Sequence, residues 1–177
     1  MINMVNKLRF NIAKFGAKIA SQVSKLGFGS GNNLPGYVFY KIAGKEALKD
    51  LAHEMSIGPI LITGTNGKTT TTTLLIKLLS ADTKIRKSFE SNTIHAITTG
   101  ILKGDGDLGV FEYGIRNKSY GIPDTVQRLI DPVGVVYTTI SREHSQVAGV
   151  KNPFEEYVDA KSLLSQGMTR GVVISNA

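Results

Sequence analysis

The sequence predicts an α/β fold: a doubly wound, mostly parallel sheet preceded by an amphipathic N-terminal helix. Three observations carry this. From residue 59 on, short apolar runs alternate with amphipathic stretches of helical length. Polar residues cluster just after several of those runs, where such sheets open their ligand crevices. Before them, Val5, Leu8, Ile12, Phe15, Ile19, Val23 and Leu26 recur at spacings of three and four, with the lysines mostly off the stripe.

The elements follow in order. The stripe makes the first helix. "GFGSGNNLPG" (Gly27 to Gly36) breaks its pattern and reads as a linker or ordered loop. Residues 45–56 form a helix, and "PILIT" (59–63) is a short buried strand. A helix starts at Gly67 and runs to Ser80, "KIRKSFES" is the second strand, and Thr93 to Leu102 is a helix. After the turn "KGDGD", "LGVFEYG" is the third strand and "IPDTVQRLI" a helix with Pro near its start. "VGVVYTT" is the fourth strand, "PFEEYVDAKSLLSQG" a helix closed by Gly167, and "GVVIS" the fifth strand.

At 177 residues the chain is long enough for one domain with its own core, and 41% hydrophobic residues fit a soluble globular protein. There is no Cys, which excludes disulfides, thiolate zinc sites and a Cys nucleophile. No apolar run approaches the roughly 20 residues of a membrane span, and no compact signal-peptide pattern is evident. The net charge of +7 is unevenly placed: residues 1–45 contain Lys7, Arg9, Lys14, Lys18, Lys25, Lys41 and Lys45 but no Asp or Glu. The rest of the chain is formally neutral, which argues against a basic nucleic-acid-binding face. The first helix then has two readings: docked on its own domain, the simpler expectation, or laid on an anionic membrane surface.

"LITGTNGKTTTTTLL" places a glycine-bearing turn between a strand and a helix. Such a turn brings backbone N–H groups and a helix N-terminus up to an anion. Lys68 can reach phosphates there, and the Thr69 hydroxyl can bind Mg²⁺. The usual loop is Gly-x-x-x-x-Gly-Lys-Ser/Thr. Here Ile62 stands at the first glycine position and the glycine is Gly64. Beyond Thr69 and Thr70, the threonine run is expected to pack or cap. Glu112, ending the third strand at the same rim, is a metal ligand or a paired structural acid. His144 follows the fourth strand, and Ser91 and Asn92 follow the second.

These residues together resemble the Mur ligase family of ATP-dependent amide-forming ligases of cell-wall peptide assembly. "TGTNGKTT" is similar to that family's short phosphate loop, "FEYG" to its strand-end glutamate, and "TTISREHS" to its Thr-rich strand end followed by Arg-Asp-His. "EEYVDAKSLL" resembles its Tyr-x-x-Ala-Lys helix, and "VVISNA" the start of its Asn-Ala-Asp-Asp-Pro segment. The resemblance runs from about Leu34 to Ala177. It implies ATP and Mg²⁺ as cofactors, an acyl-phosphate intermediate and a cytoplasmic setting. The implied substrates are a nucleotide- or lipid-linked cell-wall peptide precursor and an amino acid or amine.

By motif, Gly64, Thr65, Asn66, Gly67, Lys68, Thr69 and Thr70 would hold phosphates, with Asn92 contacting nucleotide or substrate. Thr69 and Glu112 would bind one Mg²⁺, and His144 would help hold a second. Lys161 matches the lysine that many members carbamylate to make another metal ligand; from the residues alone it reads as an exposed helical lysine. Lys68, Glu112, His144 and Lys161 would thus carry the catalysis. The segment after His144 departs from the family in lacking Leu-Asp and in its longer run to Lys161.

The lead-in "GSGNNLPGYVF" resembles two branches, the pseudomurein peptide ligases and the catalytic subunit of lipid II isoglutaminyl synthase. Two segments are expected: a basic helix and linker over 1–36, and over 37–177 the N-terminal part of an ATP-binding central domain. The resemblance implies that this domain continues beyond Ala177. The chain is therefore expected to be a fragment, split subunit or truncated product, inactive in ligation by itself. Alternatives are a nucleotide-binding subunit needing a partner, and a folylpolyglutamate-type ligase.

Overall fold

The computed structural model describes residues 4–26, 31–142 and 151–176. Three helices lead in: α1 (Met4–Lys25), α2 (Leu34–Ala43) and α3 (Ala47–Ala52). They are followed by β1 (Gly58–Thr63), α4 (Lys68–Leu79), β2 (Ile85–Ser91), α5 (Ile94–Lys103) and β3 (Leu108–Tyr113). The short α6 (Lys118–Gly121), α7 (Pro123–Ile130), β4 (Gly134–Tyr137), α8 (Pro153–Gln166) and β5 (Val172–Ser175) complete the order. The five expected strands form one sheet, ordered β2-β3-β1-β4-β5, with every neighbouring pair parallel.

Strand order and handedness decide where the helices go. The crossover from β1 to β2 runs one way across the sheet, while those from β2 to β3, β3 to β4 and β4 to β5 run the other. Right-handed crossovers therefore put α4 on one face and α5, α7 and α8 on the opposite one. The side-chain alternation agrees. Leu61, Phe111, Tyr113, Val135 and Tyr137 join the larger core with residues of α2, α3, α5, α7 and α8. Ile62, Leu108 and Val110 join Ile76 of α4 in a smaller core. The crossover direction reverses beside the central strand β1, so the crevice at its carboxyl end is the place for a ligand.

α2 is an element the sequence reading does not contain, and the segment boundary expected at 36 falls inside it. Its Gly and Pro serve contact rather than breakage. Pro35 sits in the first turn, where its missing N–H costs nothing. Gly36 lets the backbone close on α5: its N–H donates to Thr99 Oγ1 at 2.9 Å, and a Cβ there would lie 2.0 Å from the His95 carbonyl oxygen. Phe39 then buries completely.

α1 docks on the domain, but not by its apolar stripe. Ala13, Ala17 and Ala20 are buried against the domain, Phe10 meets Phe39 edge-on at 5.5 Å between centroids, and Arg9 Nε donates to the Ile42 carbonyl. Leu8, Ile12, Phe15, Ile19, Val23 and Leu26 stay 38–76% exposed. At the other end of the chain, β5 pairs with β4 alone among the described residues, and all four of its residues are exposed.

α5 begins at a side-chain cap. Thr93 Oγ1 accepts from Ala96 N at 3.2 Å and donates to Asn33 Oδ1 at 2.6 Å, tying α5 to the turn before α2. Thr93→Ala should lower the unfolding free energy by about 1–2 kcal/mol, read by urea titration.

Candidate functional site

β1 ends at Thr63, and after the four residues 64–67 α4 begins at Lys68. Gly67 caps the helix in the left-handed region, at φ 83°. The chain after β4 straps this turn down. Thr138 Oγ1 donates to the carbonyls of Asn66 at 2.6 Å and Thr63 at 3.2 Å. Thr65 N donates to Thr139 O at 2.6 Å, and Asn66 pairs with Thr139 in an antiparallel bridge. Thr65 Oγ1 accepts from Ser141 N at 3.0 Å and lies 3.1 Å from the Tyr157 hydroxyl on α8. The loop is therefore fixed from two elements distant in sequence before anything binds to it.

Lys68 Nζ donates to the Thr65 carbonyl at 2.8 Å, which curls the ammonium over the loop. At the next residue, Thr69 Oγ1 donates to Glu112 Oε2 at 2.9 Å. Glu112 is 4% exposed on β3, a carboxylate buried at a strand end. A pocket of about 250 Å³ opens here, lined by Gly64, Thr65, Lys68, Glu112 and Tyr157, with Glu90, Ser91, Asn92, Gly114, Ile115 and Arg116 completing its walls.

Lys161 comes up beneath this pocket from α8. It is 1% exposed, so it is not the exposed helical lysine that its residue type alone suggests. Its Nζ donates to Ile115 O at 2.8 Å and Gly64 O at 3.3 Å, and sits 4.2 Å from the centre of the Tyr157 ring. Burial, and then the nearby Lys68 charge, pull its pKa down to about 7. Burial also raises the Tyr157 phenol.

The donor set suits a hard cation in part. The Thr69 hydroxyl and the Glu112 carboxylate are adjacent oxygens of the kind Mg²⁺ takes, alongside water and phosphate oxygens. Among the described residues no group of three or more His, Cys, Asp or Glu side chains forms a metal cage. A metal at this spot would thus draw most of its shell from water and ligand.

Of the expected site residues, the fold brings Gly64, Thr65, Lys68, Asn92 and Glu112 to one pocket, with Lys161 bonded to its rim. Asn66, Gly67, Thr69 and Thr70 are exposed along the loop and first turn of α4 and do not line it. His144 lies outside the described residues. In the rest of the threonine run, Thr72 is buried and packs, while Thr73 Oγ1 donates back to Thr69 O at 2.8 Å inside the helix and caps nothing. Sequence reasoning gave no role to Thr138, Glu90 or Arg116. Arg116 follows the third strand end by three residues and could have been found by the same rim logic. Glu90, at φ 52° beside a register shift in β2, leaves no local signal.

A parallel sheet with a short glycine loop on its central strand, and a Lys–Thr–Glu grouping at that loop, defines a phosphate-loop α/β domain. The chain belongs to the Mur ligase family: residues 62–177 match the Mur ligase middle domain. Two relatives are UDP-N-acetylmuramoyl-tripeptide–D-alanyl-D-alanine ligases. The one from Borreliella burgdorferi is 36% identical over 100 residues, covering 54% of this chain and 21% of the relative. The one from Bacillus subtilis is 29% identical over 136 residues, covering 72% of this chain and 29% of the relative.

Among solved structures, MurF from Acinetobacter baumannii superposes with a TM-score of 0.61 at 17% identity, over 78% of this chain and 29% of that one. MurF ligase from Thermotoga maritima, solved in complex with ADP, gives 0.59 at 18% identity, over 75% and 32%. The chain thus spans between a fifth and a third of the length of these proteins, and the structural likeness shows the fold. By their names, neither curated relative is from the two branches that the lead-in resembles.

Proposed function

We propose that this chain is the phosphate-handling part of an ATP-dependent amide ligase that extends a cell-wall peptide precursor. The observation that carries it is the Thr69–Glu112 oxygen pair, 2.9 Å apart, at a loop whose Lys68 lines the same pocket. Backbone N–H groups of Gly64, Asn66 and Gly67 and the start of α4 would cradle the phosphates, with Lys68 swinging from the Thr65 carbonyl to the β/γ-phosphates. Mg²⁺ held by Thr69 and Glu112 would neutralise charge on the transferring phosphoryl group. Asn92 and Arg116, which line the same pocket, would orient the acceptor carboxylate.

The reaction has two steps. A carboxylate oxygen bonds to the γ-phosphorus as the bond to ADP breaks, giving an acyl phosphate. An amine nitrogen then bonds to the carbonyl carbon, phosphate departs and a proton is released. Lys161 is proposed to work as its carbamate. A neutral amine is what adds to carbon dioxide, and a lysine with pKa about 7 supplies one at cellular pH. The carbamate would place anionic oxygens beside the loop, joined at a second Mg²⁺ by His144.

The relatives' names support a nucleotide-linked muramoyl peptide as precursor and an amino acid or dipeptide as the incoming amine. The lead-in supports a lipid-linked or pseudomurein precursor instead. Either way the reaction belongs on the cytoplasmic side, where ATP is. The ATP-binding unit is proposed to run on from the lead-in helices, and α1 to be an appended element. Amide formation is proposed to belong to the whole assembly, in which this chain joins a C-terminal half or partner subunit.

The test is product formation in the full protein. With MgATP, a muramoyl peptide and an amine donor, amide and ADP should appear in equal amounts, and chelating the metal with EDTA should lower the rate by about a hundredfold or more. ATP bound without turnover on any muramoyl acceptor would favour a non-catalytic nucleotide-binding subunit. Turnover only with a pteridine glutamate would favour the polyglutamate reading.

A further inference from the structure

We propose that α1 seats this protein on an anionic lipid bilayer, with its apolar stripe in the headgroup–acyl boundary and its lysine flank against lipid phosphates. This is independent of the ligase reading. α1 is 22 residues, about 33 Å, long and presents Leu8, Ile12, Phe15, Ile19 and Val23 along one exposed side, with Leu26 exposed just past its end. These large side chains are outside because the helix has already spent its other face: Ala13, Ala17 and Ala20 take up the contact with the domain. A helix whose small residues face inward and whose Leu, Ile and Phe face outward has a second surface to cover.

The charge beside the stripe says what covers it. A groove of about 820 Å³ runs along one flank, lined by Lys14, Lys18, Lys25 and Lys103 over Phe15 and Leu102. Lys14 pairs with Glu54 at 2.7 Å, and Lys103 donates to the Gly31 carbonyl at 2.6 Å, while Lys18 and Lys25 are exposed. No Asp or Glu occurs in the first 45 residues. A second copy of the chain packed stripe to stripe would bring like charges together. A bilayer with anionic headgroups supplies the opposite charge beside the apolar layer. Among the described residues no helix is long and apolar enough to cross a membrane, so α1 would lie in the interface plane.

The experiment is co-sedimentation of the full chain with vesicles of phosphatidylcholine alone or mixed with phosphatidylglycerol. Pelleting should require phosphatidylglycerol and weaken in high salt. Phe15→Asp/Ile19→Asp should lower binding by about tenfold or more, and Lys18→Glu/Lys25→Glu should remove the preference for the anionic lipid. All four positions are exposed, so melting temperatures should stay near that of the native chain, and a variant that fails this control is replaced by Leu8→Ser/Val23→Ser. Lys68→Ala should pellet like the native chain, which separates this proposal from the ligase reading. No pelleting on phosphatidylglycerol vesicles, equal pelleting on neutral ones, or binding indifferent to both double variants would overturn it. Concentration-dependent dimerisation in place of vesicle binding would assign the stripe to a second copy and overturn it too.

Discussion

Lys161→Met should give a protein that has lost ligation and no longer gains stability as pH rises above 7. Lys161 is 1% exposed and its pKa falls to about 7 from an ordinary 10.5. Below pH 7 the lysine is charged in both the folded and the unfolded chain, and the folded chain carries the whole cost of burying that charge. Between pH 7 and 10.5 the folded chain has released the proton and the unfolded chain still holds it, so native stability climbs with pH. Methionine fills a similar volume and does not titrate. Between pH 6.5 and pH 10 the difference in unfolding free energy should therefore move in favour of the native chain by on the order of 3–5 kcal/mol. Denaturant titrations at the two pH values measure it. A constant difference would mean that the ammonium is solvated or the lysine already modified. Ligation by the full protein should fall about a thousandfold if the carbamate holds metal, because the charge it contributes acts on the transferring phosphoryl group.

Gly64→Ala should damage both the fold and the loop. Gly64 sits at φ 150°, and a Cβ there would stand 1.9 Å from Thr138 Oγ1 and 3.1 Å from Thr139 O. The methyl can be admitted only by moving Thr138, whose hydroxyl bonds to Asn66 O and Thr63 O. Backbone strain and clash together should cost about 3 kcal/mol, or roughly 6–12 °C in melting temperature for a chain of this size. Nucleotide affinity, measured by titration calorimetry with MgATP, should drop by about a hundredfold or more because the phosphate-facing N–H groups lose their common aim. Thr138→Ser keeps the hydroxyl and its bonds, and should cost less than about 1 kcal/mol and leave affinity nearly unchanged. If Gly64→Ala binds MgATP as the native chain does, the strap does not matter to the loop.

The site was legible to the extent that parallel strands make it so. Strand ends converge on one rim in such a sheet, so a polar residue after each apolar run already names the crevice. Lys68, Glu112 and Asn92 come together for that reason. Thr138 was hidden because its task is to bond backbone carbonyls, and a threonine in a Thr-rich strand end looks like any other. Glu90 was hidden because a register shift in β2 decides where it points. At the N-terminus, periodicity found α1 and missed which side it docks. Two apolar faces wind around that helix, one of large residues and one of alanines, and the larger is the more visible in a sequence. The alanine face wins inside the protein since small side chains let α1 approach α2 closely: Gly16 lies near enough that a Cβ there would be 3.1 Å from Ile42. α2 escaped notice because its Gly and Pro are turn formers elsewhere.

β5 is an apolar edge of the sheet among the described residues. With Val172, Val173 and Ile174 all more than half exposed, the outer side of the strand offers backbone donors and acceptors to any extended peptide, without charge to turn one away. Handled by itself at high concentration, this chain should associate edge to edge, and Val173→Lys should suppress the rise of light scattering with concentration.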